Sequence, residues 1–205
     1  MYVGVGHGFD ALLALNTGLT EHIIGVDPYI DSDGNDNEDY DHLMNMLDEF
    51  NMQDCFSIER MTIQKFLQNN SGRFDLIICN DVLHHIFWTD ALLSESELFP
   101  EALSLFRMLR KASRPGGNLV VADVERHGLR QILSALGVLK TSVNYGTKQP
   151  RREWCRAAAN AGWMLANQAN YVPWRLRGQM KIWSGLMGRF TVCDKYLLHF
   201  NAPDH

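Results

Sequence analysis

Long apolar runs are missing from this sequence, and their absence bounds it first. No stretch approaches the roughly 18 residues that a membrane span requires. The N-terminus shows neither a basic start nor a small-residue cleavage pattern. The chain is therefore expected to be soluble and cytoplasmic, with no membrane span. Cysteine is sparse. Cys55, Cys79, Cys155 and Cys193 sit singly in apolar segments without C-x-x-C spacing. They read as reduced packing thiols, so neither a disulfide nor a metal site is expected. Basic residues are scarce in the first 100 positions, 3 against 18 acids, and acids are scarce in residues 101–205, 6 against 16 basic residues. Between Glu153 and Asp194 there is no acid at all.

That acid-free stretch interleaves Arg156, Arg175, Arg177, Lys181 and Arg189 with Trp163, Tyr171, Trp174 and Trp183. Basic charge among aromatics is what single-stranded nucleic acid needs. A solvated basic side facing the acidic half of the same domain accounts for it more simply. A small acidic substrate, such as a phosphorylated sugar, would use the same charge, and nucleic acid is not the expected partner. What the chain does have is 46% hydrophobic content over 205 residues, enough for one globular domain with a real core.

The first ten residues, M-Y-V-G-V-G-H-G-F-D, carry the most information. A short apolar strand runs into Gly4, Gly6 and Gly8, and a helical pattern follows from Phe9. Glycines spaced this way let the backbone turn tightly and approach a ligand closely, and the helix start presents N–H groups. A dinucleotide fingerprint, G-x-G-x-x-G/A, needs a small third residue for helix–strand packing. Counted from Gly4, that place holds Phe9.

Further along, E-H-I-I-G-V-D closes on Asp27, an acid 19 residues beyond Gly8. A carboxylate at the end of the second strand is placed to accept hydrogen bonds from both hydroxyls of a ribose. Read blandly, it is a strand-end acid before the turn at Pro28. A third segment, Gly72–Ile86, is a buried strand ending in Asn80 and Asp81, then Val82, Leu83, His84 and His85. A fourth, Leu109–Asp123, is a helix, a Pro-Gly-Gly turn at Pro115 and a strand.

The G-x-G-x-G turn with Val5 inside it, the acid at Asp27, F-D-L-I-I-C-N-D-V-L-H-H and the P-G-G step come in the order and spacing of the class I S-adenosylmethionine (SAM) dependent methyltransferases. The chain resembles that family over residues 1 to about 125, and Arg152–Trp163 extends the likeness to a late helix. The resemblance implies a Rossmann-like doubly wound α/β fold: a mostly parallel seven-stranded sheet, helices on both faces, and an antiparallel last strand. It implies one domain over 1–205, with a cofactor-binding half (1–125) and a substrate-side half (126–205). The implied cofactor is SAM, with S-adenosylhomocysteine as product. By position, Gly4, Val5, Gly6, Gly8, Asp27, Pro28, Met61, Thr62 and Asn80 would hold it. The implied reaction is methyl transfer to a small molecule.

The alternation of apolar and turn signals predicts strands at 1–5, 22–26, 55–59, 73–79, 117–123, 163–172 and 190–200. Helices are expected at 9–17, 38–50, 62–69, 99–112, 126–139 and 150–161, with a flap near 86–97 carrying Phe87, Trp88 and Asp90. Asp31–Asp41 is rich in acids, but an EF-hand from Asp31 would need Gly at position 36 and Glu at position 42, where Asp36 and His42 stand. A solvated acidic loop is the better reading.

For methyl transfer the protein's main task is to align the reactants and exclude water. A base is needed where a hydroxyl must lose its proton. His84 and His85 are the natural candidates, one expected to face the cleft and the other the protein; both could instead be structural hydrogen bonders. Asp81 is a second candidate base, and His127, beside Arg126, is within reach of a substrate. The pair slightly favours an oxygen acceptor, and Asn80-Asp81-Val82-Leu83 is unlike the N/D-P-P-Y/F of N-acceptor families.

Two departures from the family pattern stand out. Arg60-Met61-Thr62 replaces the acid-bearing sequence that meets adenine, and Tyr2 occupies the place of an acid two residues before the first glycine. The helices that usually cover the site would also precede residue 1. The natural chain beginning further upstream, a partner supplying the cover, or a non-catalytic methyltransferase-like module that binds a partner are the readings this leaves open. Substrate specificity would lie in the flap and in residues 126–190, where no motif identifies it.

Overall fold

The computed structural model describes residues 1–30, 36–87, 95–126, 129–138, 140, 148–170 and 195–203. β1 (Tyr2–Val3) leads through the glycine turn into α1 (Phe9–Asn16), β2 (Ile23–Val26) and α2 (Asn37–Glu49). A single 3₁₀ turn precedes β3 (Phe56–Glu59), and α3 (Ile63–Leu67) leads to β4 (Phe74–Asn80). Next come the short α4 (Leu83–Ile86), α5 (Glu95–Ala112), β5 (Ser113–Val124) and α6 (Leu129–Ala135). Then α7 (Arg151–Asn160), β6 (Met164–Asn170) and β7 (Lys195–Asn201) complete the sheet.

The strands form one seven-stranded sheet in the order β3-β2-β1-β4-β5-β7-β6. β1 to β5 pair in parallel, while β7 lies antiparallel between β5 and β6. The expected antiparallel strand is therefore present and sits inside the sheet. Strand order reverses between β1 and β4, and in open α/β sheets ligands bind in the crevice at such a switch point.

Helices cover both faces, and the pleat decides which residue goes to which. Tyr2 faces a core with Ala11, Leu12 and Ala14 of α1 and Leu43 and Leu47 of α2. Val3, next along the strand, faces the other core, where Ile77 and Cys79 of β4 meet Leu105, Phe106 and Leu109 of α5 and Trp154 of α7. Burial pushes the Cys79 thiol up to about 12, as expected of a packing cysteine. The thiols of Cys55, Cys79 and Cys155 are all free, and Cys193 lies outside the described residues.

Several boundaries differ from expectation for local reasons. β1 is two residues long because Gly4, at φ 70°, turns the chain out of the strand. α5 begins at Glu95 and runs through Pro100, so the proline lies inside the helix and not at its start. Its end at Ala112 comes before Pro115, and the Pro-Gly-Gly step is an excursion within β5: Ser113 pairs with Phe74, yet Asn118 already pairs with Leu76. Of the helix expected over 126–139, Leu129–Ala135 is helical among the described residues. Among the described residues no helix is long and apolar enough to cross a membrane.

Candidate active site

The glycine turn is bonded inward. The Gly4 N–H donates to the Val26 carbonyl at 2.9 Å, and the Gly8 N–H donates to the Val5 carbonyl at 2.9 Å. The Gly6 N–H donates to Oδ2 of Asp27 at 3.1 Å. Space explains two of these glycines. A Cβ on Gly4 would fall 2.3 Å from Cγ2 of Val82, and one on Gly8 would fall 2.3 Å from Cδ1 of Leu43, both at left-handed φ. The turn is thus pressed against the β4 end on one side and α2 on the other. Its three glycine N–H groups are spent on the protein itself.

Asp27 follows β2 and is only 2% exposed. Besides Gly6, it accepts the Tyr29 N–H on Oδ1 at 3.0 Å. The Tyr29 hydroxyl returns to the Gly6 carbonyl at 2.9 Å, closing a ring of contacts around the turn. Tyr29 holds a left-handed φ of 51° to do so, and burial, with Asp27 and Asp39 nearby, pushes its phenol above the ordinary tyrosine range. No feature of the sequence marked Tyr29 for this role.

At the β4 end the polar residues separate. Asn80 donates its amide to Oδ2 of Asp10, on the first turn of α1, at 2.5 Å. Asp81 also takes a left-handed φ, 52°; its N–H reaches the Ala122 carbonyl at 2.8 Å, and its Oδ2 pairs with Nζ of Lys195 from β7. His84 turns inward, 5% exposed, with Nδ1 2.8 Å from Oδ1 of the fully buried Asp123. His85 turns toward the cleft, and the two imidazoles lie 4.3 Å apart between centroids. Behind them Arg151 donates to Glu125 at 2.7 Å and to Asn170 at 2.8 Å, both buried contacts. Burial pushes the Lys148 ammonium down, with Asp123 and Asp81 opposing it.

A cavity of about 690 Å³ opens at the switch point, within the size range of small-molecule sites. Gly4, Val5, Gly6, Gly8, Asp27, Pro28, Thr62, Asn80, Asp81 and His85 all line it. Two of the expected site residues do not. Met61 packs against the core, and His84 is held by Asp123. Thr62 also caps α3, accepting the Lys65 N–H on its hydroxyl at 3.4 Å. Phe9, Asp10 and Ile30 also line it, which no feature of the sequence had marked, and Ile86 lines it from the start of the expected flap. His127, most of the flap, and the basic stretch between 171 and 194 lie outside the described residues. The lining carries Asp10, Asp27 and Asp81 but, among the described residues, no lysine or arginine. Among the described residues no group of three or more His, Cys, Asp or Glu is placed to hold a metal ion.

Comparison with known proteins agrees with this geometry. A family described as a methyltransferase domain matches residues 3–168. The ubiquinone biosynthesis O-methyltransferase of Aeromonas salmonicida (strain A449) is 22% identical over 156 residues, 72% of this chain and 57% of that protein. The chain thus spans little more than half of that relative's length. Among solved structures, geranyl diphosphate C-methyltransferase from Streptomyces coelicolor A3(2), in complex with Mg²⁺, geranyl diphosphate and S-adenosylhomocysteine, superposes with a TM-score of 0.60 at 16% identity. That match covers 98% of this chain and 70% of the other. A SAM-dependent methyltransferase from Mesorhizobium loti gives a TM-score of 0.61 at 14% identity, covering 98% of this chain and 88% of that one.

Proposed function

The chain belongs to the methyltransferase-domain family, matched over residues 3–168, and from that premise we propose that it moves a methyl group from SAM to a small-molecule acceptor, with oxygen the preferred atom. One observation carries the cofactor: among the described residues the cavity wall holds three carboxylates and no lysine or arginine. A dinucleotide would bring a pyrophosphate there, and the glycine N–H groups that would meet it are already bonded to Val26, Asp27 and Val5. A cationic ligand suits the same wall. When bound, SAM supplies a methyl group on a positively charged sulfur that leaves as a neutral thioether.

The remaining work falls to the protein's own side chains. Asp27 is placed to accept the ribose hydroxyls while it holds the turn through Gly6 and Tyr29. His85 is the candidate base, since it lines the cavity and His84 does not. It would take the proton of an acceptor hydroxyl as the new O–CH₃ bond forms. Asp81 is the weaker candidate because Lys195 occupies its carboxylate. The relative from Aeromonas, named for O-methylation, supports the oxygen preference.

The test is calorimetric titration with S-adenosylhomocysteine, with NADH as control ligand. Micromolar binding of the former alone is the expected result. Binding of NADH in its place would overturn the cofactor assignment.

A further inference from the structure

The three carboxylates in the cavity wall differ in what already holds them. Asp27 is buried and spends oxygens on two backbone N–H groups. Asp81 is neutralised by Lys195. Asp10 is exposed to the cavity, and among the described residues it has no cationic partner. It is nevertheless held in place: the Asn80 amide donates to its Oδ2, and the Tyr2 phenol lies against both Asn80 and Asp10. An amide and a phenol fix a carboxylate without cancelling its charge. Burial first, and Asp10 second, push the Tyr2 phenol well above its ordinary range, so Tyr2 stays neutral and adds no charge to this corner. Asp10 also stands in the first turn of α1, where the helix dipole favours a negative group. The result is one positioned negative charge on the cavity wall, without a cationic partner among the described residues, at the junction of β1, β4 and α1.

We propose that Asp10 is the residue that recognises a primary ammonium group on the ligand, the α-amino group at the amino-acid end of the cofactor. This assignment rests on the SAM reading above. It divides recognition between two acids, with Asp27 at the ribose and Asp10 at the amino-acid end. It also makes the pocket selective for nucleoside thioethers that keep their ammonium over those that have lost it. Asn80 and Tyr2 act as its positioning residues.

Two ligands separate this assignment from the reading beneath it. S-adenosylhomocysteine carries the ammonium, whereas 5′-methylthioadenosine keeps the nucleoside and sulfur without the amino-acid end. Titration of the full chain and of Asp10→Asn with both is expected to show S-adenosylhomocysteine weakened by roughly five- to twentyfold, the range of a charge-assisted hydrogen bond at a partly open site. Affinity for 5′-methylthioadenosine should stay within about twofold. Asp10→Glu, which keeps the charge, should retain most of the affinity, and matching melting curves would show that the variants fold. An S-adenosylhomocysteine affinity unchanged in Asp10→Asn would overturn the assignment and leave the cofactor reading intact. Equal losses for both ligands would overturn it as well. A wild-type chain that binds neither ligand would remove the cofactor reading, and this assignment with it.

Discussion

Two adjacent histidines illustrate how far single residues can be read. The sequence places His84 and His85 just past the end of a buried strand, with one expected to face the cleft unless both are structural hydrogen bonders. Which one is decided by Asp123, 39 positions further along and fully buried, whose carboxylate captures His84. That contact depends on the pairing of β4 with β5, which no local pattern reveals. The two substitutions should therefore have different consequences. His85→Ala is expected to reduce turnover, on an acceptor found by screening, by about 10²–10⁴-fold with S-adenosylhomocysteine affinity kept. His84→Ala should instead appear in urea denaturation as a loss on the order of 1–3 kcal/mol, because it takes the imidazole away from a buried carboxylate. A His85→Ala enzyme within tenfold of wild type would leave alignment alone as the mechanism. Asp27 shows the reverse case. Its place was legible from spacing, but its second task, fastening the glycine turn through Gly6 and Tyr29, was not.

Among the elements, the strands were legible where they are apolar and continuous, as at Phe74–Asn80, and less so where a turn or a proline intervenes. β5 begins four residues earlier than the strand predicted at 117–123 because Ser113 keeps one pairing with Phe74 before the Pro-Gly-Gly excursion. α5 tolerates Pro100 near its start, so the usual rule that proline opens a helix placed that boundary several residues late. The β1–α1 turn is the element on which the site depends, and two glycines in nearly the same conformation allow its sterics to be isolated. Gly4 has φ 70° with Val82 pressed against it, while Gly18 has φ 71° and nothing within 4 Å. Gly18→Ala should cost on the order of 1 kcal/mol from backbone strain alone. Gly4→Ala should cost roughly 1–3 kcal/mol more and weaken cofactor binding, since Val82 must move. Equal losses by denaturant titration would show that the turn is not packed as tightly as described.

At the scale of the whole molecule, the parallel β–α alternation and the reversed strand were readable from the sequence. The sheet order was not, because nothing local says that β7 enters between β5 and β6. β7 pairs with both neighbours along its length, and Leu198 in its middle is fully buried. Leu198→Pro would remove a ladder donor and the packed side chain together, the latter alone worth roughly 2–5 kcal/mol. Circular dichroism is expected to show loss of the cooperative melt. A transition within a few degrees of wild type would contradict the central position of this strand. The uneven charge of the sequence also takes shape at this scale. The acidic half supplies Asp10, Asp27 and Asp81 to the cavity wall, and the later half answers with Lys195.

The central place of β7 has a consequence for biogenesis. As the polypeptide leaves the ribosome, β1 to β5 can assemble in order, but β6 emerges with no neighbour to dock on, because its pairing is with β7. Until Lys195–Asn201 has been synthesised, β6 and the free edge of β5 are both unpaired strands of the kind that chaperones shield. β7, made after the strands it joins, is thus the keystone of the sheet. The Lys195 that closes onto Asp81 arrives with it, so this wall carboxylate gains its partner as the sheet closes.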